Sequence, residues 1–323
     1  MTTITKINLG KGGPLVSKLG LGCMRMSSIW GGPTNEETES IATIQSALDS
    51  GINFLNTGDF YGHGHNELLI GKAIKGRRDD AFISVKFGAI FHNGQWIGLD
   101  LRPVAIKNFI NYSLVRLGIE TIDLYQPSRM DHSVPIEDII GTVTDLIKEG
   151  KVRHLGVSEI SSDQLRKANS IYPVSALEIG YSLADRQIES DLLPTAKELG
   201  IAVVAFANTA EGLLTGEMKS PLPADDYHNN FSRFQGENLT KNLETVEVLK
   251  QIAKEKGVTP TQLAIAWVNL QGDHIMPLVS MSRRSRLPEN MQAMEITFSA
   301  DEMEKLNSHF APGAILGSTY LQR

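Results

Sequence analysis

Between Asn56 and Glu67 the chain gathers Asn56, Thr57, Asp59, Tyr61, His63, His65, Asn66 and Glu67 within a dozen positions, with Gly58, Gly62 and Gly64 interleaved. The glycines give the backbone the freedom a tight loop needs. Ahead of them, Ile52-Asn53-Phe54-Leu55 is a short apolar run after Gly51, which predicts a buried strand. Polar groups at the carboxyl end of such a strand are where α/β proteins place chemistry. A tyrosine there can donate a proton, but a phenol pKa near ~10 makes it a sluggish acid unless a cation favours the phenolate. Lys86, at the end of the run AFISVK, is the candidate cation. Taken alone, a glycine-rich surface loop with a solvated tyrosine and a solvated strand-end lysine is the simpler reading.

The rest of the chain must position these groups. Its 323 residues suit one α/β barrel, and 31 basic against 37 acidic side chains leave a net charge of −6. That balance predicts no pull toward nucleic acid or an anionic membrane, and points to a small-molecule partner. The only cysteine is Cys23, so no disulfide can form within the chain, and a reducing cytoplasm is the expected location. The longest apolar run, residues 201–207, is far short of the ~20 residues that span a bilayer. No cluster of metal-ligating residues is visible.

Residues 4–9 and 15–19 flank the turn-like GKGGP and predict an amino-terminal hairpin. Strand-like and helix-like segments then alternate, beginning with LGLGCM and a helix over residues 34–50, and ending with an apolar run at 275–279 before a helix over 286–294. The count is eight strand-then-helix units. Such alternation specifies a parallel sheet, and eight right-handed units can close into a barrel. The expected fold is therefore α/β, a (β/α)8 TIM barrel with an amino-terminal β-hairpin, as one domain over 1–323. A doubly wound open sheet is the alternative, but no GxGxxG follows the first strand. Residues 208–240, rich in Pro, Asp and Asn, are expected to loop over one barrel end.

The run NTGDFYGHGHNE after a strand resembles the (D/N)TxDxYGxGxNE pattern of the aldo-keto reductases, and the likeness continues from LGLGCM to PENM. It implies that Tyr61 donates a proton to a carbonyl that receives hydride from a nicotinamide cofactor, and that Lys86 activates Tyr61. Two further catalytic positions depart from the family. Asn56 stands where an aspartate usually pairs with the lysine, and Ser128, in DLYQPSRMD, stands where a histidine is usual. Asn56 can still accept a hydrogen bond from Lys86, and Ser128 can donate one to a substrate oxygen while freeing volume. His63, His65 and His132 are candidates to stand in for the histidine.

The resemblance also implies a cofactor site. Cys23 and Met24 follow the glycines of LGLGCM. In KEGKVRHLGVSE, Ser158 and Glu159 occupy the positions that hold the nicotinamide amide, with Glu178 where glutamine is usual and Tyr181 as the stacking ring. In AFANTAEGLLTGEM, Leu213 and Gly216 match a segment that wraps the pyrophosphate, whereas Glu211 replaces an arginine. Arg283, Arg284 and Arg286 could grip a 2′-phosphate, which favours NADPH over NADH, and Glu289 and Asn290 match an adenine-contacting pair. The expected function is NADPH-dependent reduction of a small aldehyde or ketone. The alternative is a catalytically impaired barrel that binds NADPH as a sensor or regulatory subunit. Phe91, Trp96, Phe231, Phe234 and Tyr320 lie in the loops that would select a substrate; neither substrate nor oligomeric state is readable.

Overall fold

A computed structural model describes residues 4–27, 36–131 and 133–319, so His132 and Tyr320 lie outside the described residues. Eight strands form a closed parallel barrel in sequential order. They are β1 (Gly20–Gly22), β2 (Phe54–Gly58), β3 (Phe82–Phe87), β4 (Ile122–Pro127), β5 (Val152–Ser158), β6 (Val174–Gly180), β7 (Ala202–Phe206) and β8 (Ile275–Ser280). The helices α1 (Glu37–Asp49), α2 (His65–Ala73), α3 (Pro103–Leu117), α4 (Ile136–Lys148), α5 (Ser162–Ile171) and α6 (Leu192–Leu199) each follow a strand in turn. Two helices, α7 (Gly236–Lys256) and α8 (Pro260–Asn269), lie between β7 and β8, and α9 (Leu287–Ala293) and α10 (Ala300–His309) close the chain. The expected TIM barrel is present. The amino-terminal hairpin is also found, pairing Lys6–Asn8 with Leu15–Ser17.

Successive side chains on a strand alternate between the lumen and the helical layer. One apolar cluster joins Phe54, Phe82, Leu124, Ala176, Ala202, Val204, Met276 and Leu278 with Ile7, Leu9 and Val16 of the hairpin. The hairpin thus plugs the amino-terminal mouth, and the lumen is filled rather than hollow. Residues of the other parity, such as Leu55, Ile83, Tyr125, Leu177 and Val203, join a second cluster with the inner faces of the helices.

Two elements escape the sequence reading. Helix α8 is buried over most of its length, so its apolar residues show no one-sided period, although Thr259 and Gln262 form a capping box at its start. A second hairpin, Ala89–His92 with Gln95–Leu99, stands where a loop was expected. Its turn, Asn93-Gly94, has positive φ at both residues, the sequence signal for a tight hairpin. Among the described residues no helix is long and apolar enough to cross a membrane.

Candidate active site

Two residues above the apolar plug, the same inward rows turn polar. Asn56 on β2, Ser84 on β3, Gln126 on β4 and Glu178 on β6 meet in the lumen, all buried. Asn56 Nδ2 donates to Glu178 Oε2 at 2.7 Å and to Ser84 Oγ at 3.3 Å. Gln126 Nε2 donates to the same Glu178 oxygen and to Ser84. A side chain at Gly156 would collide with Gln126, since a Cβ there would lie 2.7 Å from Gln126 Oε1, so glycine on β5 makes the room.

One level higher, Lys86 Nζ donates to Asn56 Oδ1 at 2.6 Å and to Glu178 Oε1 at 2.8 Å. The same ammonium faces Tyr61, with Nζ 5.3 Å from the centre of its ring. Tyr61 opens a short turn, Tyr61–Gly64, in which Gly62 and His63 take φ of 56° and 53°. A Cβ on Gly62 would lie 2.9 Å from that of Ser27, so this turn needs glycine for both conformation and space. Phe60 packs edge-on to Tyr61 with centroids 4.8 Å apart, and Phe91 of the second hairpin stacks on Phe60. Burial raises the Tyr61 pKa, Lys86 pulls it back and Glu178 pushes it up. For Lys86 burial opposes the charge, but Glu178 and Tyr61 outweigh it, so Lys86 holds its proton more tightly than a free lysine.

The remaining polar residues of the motif hold the turn in place. Thr57 donates to Asn66 Oδ1 at 2.6 Å, and Asn66 Nδ2 donates to the Cys23 carbonyl at 2.9 Å, tying α2 to the end of β1. Arg116 of α3 reaches the buried Glu67 at 2.5 Å. Asp59 is pushed well above the usual carboxylate range by burial and by Glu67. His65 faces Ser27 and Glu37, and His63 is exposed.

Ser128 continues the inward row of β4, and its Oγ is buried without a hydrogen-bond partner in the protein. Ser158 ends β5 at the same mouth, buried. Glu159, at φ 50°, accepts from the Gly180 amide at 3.0 Å and lies 3.4 Å from Arg129; burial raises its carboxyl pKa. Cys23 is fully buried, its thiol pushed up to about 12 by burial and its backbone amide and carbonyl bonded to Asn56 and Asn66; Met24 beside it is half-buried.

Tyr181 has the opposite parity to Glu178 plus two. Its ring is 1 % exposed, packs against Trp267 of α8 at 5.3 Å and donates its hydroxyl to Glu189, so it faces the helical layer. The ring open to the mouth is Phe206, half-buried at the end of β7 and opposite Gly180. Sequence reasoning missed it, although the alternation Ala202, Val204, Phe206 puts it on the inward row. It missed Gln126 as well, one position of the same parity before Ser128.

Leu213 is buried and Gly216 has φ 75° in the segment after β7, where Ala207, Ala210 and Glu211 also take positive φ. At the opposite side, Arg284 grips Glu39 of α1 at 2.8 Å and Arg286 pairs with Glu289 at 3.0 Å, while Arg283 precedes them in the same turn. Glu289 also accepts from Thr259, and Asn290 is buried. The exposed arginine pairs are weak enough to be exchanged for a phosphate at little cost.

The model of the aldo/keto reductase family matches residues 18–311. A curated relative, probable aldo-keto reductase 1 of Glycine max, is 35 % identical over 319 residues, covering 98 % of this chain and 92 % of that protein. Among solved structures, glycerol dehydrogenase AKR11B4 from Gluconobacter oxydans is similar with TM-score 0.86 and 28 % identity, covering 99 % of both chains. Aldo-keto reductase AKR11C1 from Bacillus halodurans, in its holo form, is similar with TM-score 0.76 and 28 % identity, covering 95 % of this chain and 96 % of that one. With a closed barrel and a buried tyrosine–lysine pair at its mouth, this chain belongs to the aldo/keto reductase family.

Proposed function

We propose that this protein is a cytoplasmic reductase that uses NADPH to reduce the carbonyl of a small aldehyde or ketone, working as a single barrel domain. The observation that carries the reading is the buried Lys86 ammonium beside Tyr61 at the mouth of the barrel, 5.3 Å from the centre of the ring. When bound, the nicotinamide cofactor supplies the hydride. The half-open ring of Phe206 and the unpartnered Ser128 hydroxyl suit a flat heteroaromatic ring and a substrate oxygen at this mouth. Tyr61 is the general acid: as negative charge builds on the carbonyl oxygen, its proton moves to that oxygen and Lys86 stabilises the phenolate left behind. Ser128 donates to the substrate oxygen, in the space a larger side chain would fill. The segment from Ala207 to Gly216 would hold the pyrophosphate, the arginines at 283, 284 and 286 would hold the 2′-phosphate, and Glu289 and Asn290 would serve the adenine.

The test is a fluorescence titration with NADPH and NADH, then oxidation of NADPH against a carbonyl panel by wild type and Tyr61→Phe. NADPH should bind more tightly than NADH, and Tyr61→Phe should lose at least ~100-fold in kcat while keeping NADPH affinity. Full turnover by Tyr61→Phe sinks the assignment. NADPH binding by the wild type with no turnover on any carbonyl favours a sensor or regulatory role instead.

A further inference from the structure

The lysine beside Tyr61 needs a counter-charge, and the neighbour on β2 does not provide one. Asn56 offers Lys86 a neutral oxygen. Among the described residues, the carboxylate in salt-bridge contact with Lys86 is Glu178, which arrives from β6, three strands away from β3 around the barrel. We infer that Glu178 is the positioning residue that keeps Lys86 charged and in place beside Tyr61, so that the site's ion pair runs across the lumen.

Three features support this role. Glu178 is surrounded by donors, Lys86 on one oxygen and Asn56 and Gln126 on the other, a setting that suits a carboxylate. Lys86 is held by Asn56 Oδ1 and Glu178 Oε1 together, which fixes its ammonium beside Tyr61, 5.3 Å from the centre of the ring. The pair is also deeply buried, with side chains 7 % and 4 % exposed, so a lysine left without its anion would shed its proton rather than remain charged. The titratable groups facing the cluster are Cys23 after β1, Tyr61 after β2 and Glu159 at the end of β5; Glu159 has its own cation in Arg129.

The inference rests on the reductase reading only for its activity readout, so two measurements are used. The variants are Glu178→Gln, which removes the charge while keeping the shape, and Asn56→Asp/Glu178→Gln, which moves the carboxylate to the other contact of Lys86. In the double variant Gln126 can turn its amide so that its now unpartnered Oε1 accepts from the new amide at 178. First, kcat for NADPH-dependent reduction is followed against pH. In Glu178→Gln the alkaline fall in kcat should move down by about one pH unit or more, because Lys86 loses its proton earlier, and the double variant should restore the wild-type profile. Second, urea midpoints are followed from about pH 7 to about pH 9.5, which needs no substrate. With its folded pKa lowered below the unfolded value, Lys86 in Glu178→Gln binds fewer protons folded than unfolded. The deficit in stability of Glu178→Gln should therefore narrow as pH rises, and the double variant should show no such narrowing.

Absence of turnover in the wild type sinks the reductase reading, while the stability series still decides the role of Glu178. A Glu178→Gln series parallel to wild type in pH overturns the inference, as does a double variant that behaves like the single one. Should Glu178→Gln fail to fold, the double variant decides alone, since it keeps the charge count: a wild-type pH profile supports the role and a shifted one overturns it.

Discussion

Glu211 sits in the segment after β7 that we assign to the pyrophosphate, and burial pushes its carboxyl up from 4.5 to about 7. Arg233 lowers that value and Asp185 raises it, but Arg233 is already committed to Asp185 through two hydrogen bonds of 2.9 and 2.6 Å. One oxygen of Glu211 is buried without a partner. A folded acid with a raised pKa binds more protons than its unfolded form between 4.5 and about 7, so stability should fall as pH rises through that window. At about 1.4 kcal/mol per pH unit the gap from 4.5 to about 7 sets an upper bound of ~3.5 kcal/mol, and partial solvent screening reduces it to about 1.5 kcal/mol. Glu211→Gln should remove the fall. In urea unfolding, the variant should gain about 1.5 to 2.5 kcal/mol on wild type between pH ~5 and pH ~8.5. An equal difference at both pH values, or a gain at the acid end, would refute the argument. The cofactor assignment adds a parallel expectation: NADPH affinity of the wild type should weaken above pH ~7 and that of Glu211→Gln should not.

Two further outcomes follow from packing. Gly156→Ala places a Cβ 2.7 Å from Gln126 Oε1, so Gln126 must shift from its contacts with Ser84 and Glu178; urea unfolding should show a loss of about 1–3 kcal/mol, and an unchanged midpoint would mean the polar layer has slack. Cys23 is fully buried with its thiol raised to about 12, so a thiol-specific reagent should not react with the folded protein and should label one thiol in denaturant; rapid labelling without denaturant would show that the end of β1 opens.

The barrel was legible because its strands and helices alternate with unlike periods, and the hairpin because its turn residues are explicit. Helix α8 was missed for the converse reason: packed between α7, α9 and β8, it has no polar face to give it a period. At the site, strand parity decides what the motif leaves ambiguous. Counting by twos from Phe54, Phe82, Leu124, Ala176 and Ala202 reaches Asn56, Lys86, Ser128, Glu178 and Phe206, all on inward rows. The same count sends Tyr181 outward, where it packs on Trp267. The expected stacking ring therefore faces the helices, and the available aromatic face belongs to a residue whose only sequence signal was its register.

The departures at Asn56 and Glu178 read as separate losses when taken position by position, one a missing charge beside the lysine and the other an extra charge beside the cofactor. Nothing local connects them, since 122 residues separate the two. Closure of the barrel brings β6 to face β2 and β3, and there the amide and the carboxylate share a hydrogen bond of 2.7 Å and a single lysine. With one carboxylate and one ammonium, the buried cluster beside Tyr61 is balanced. A second carboxylate at 56 with Glu178 kept would crowd two like charges around Lys86, and removing both would leave Lys86 buried without an anion. The neutral residue on β2 and the acid on β6 are thus physically one arrangement, and substitution at either is expected to be tolerated best when the other changes with it.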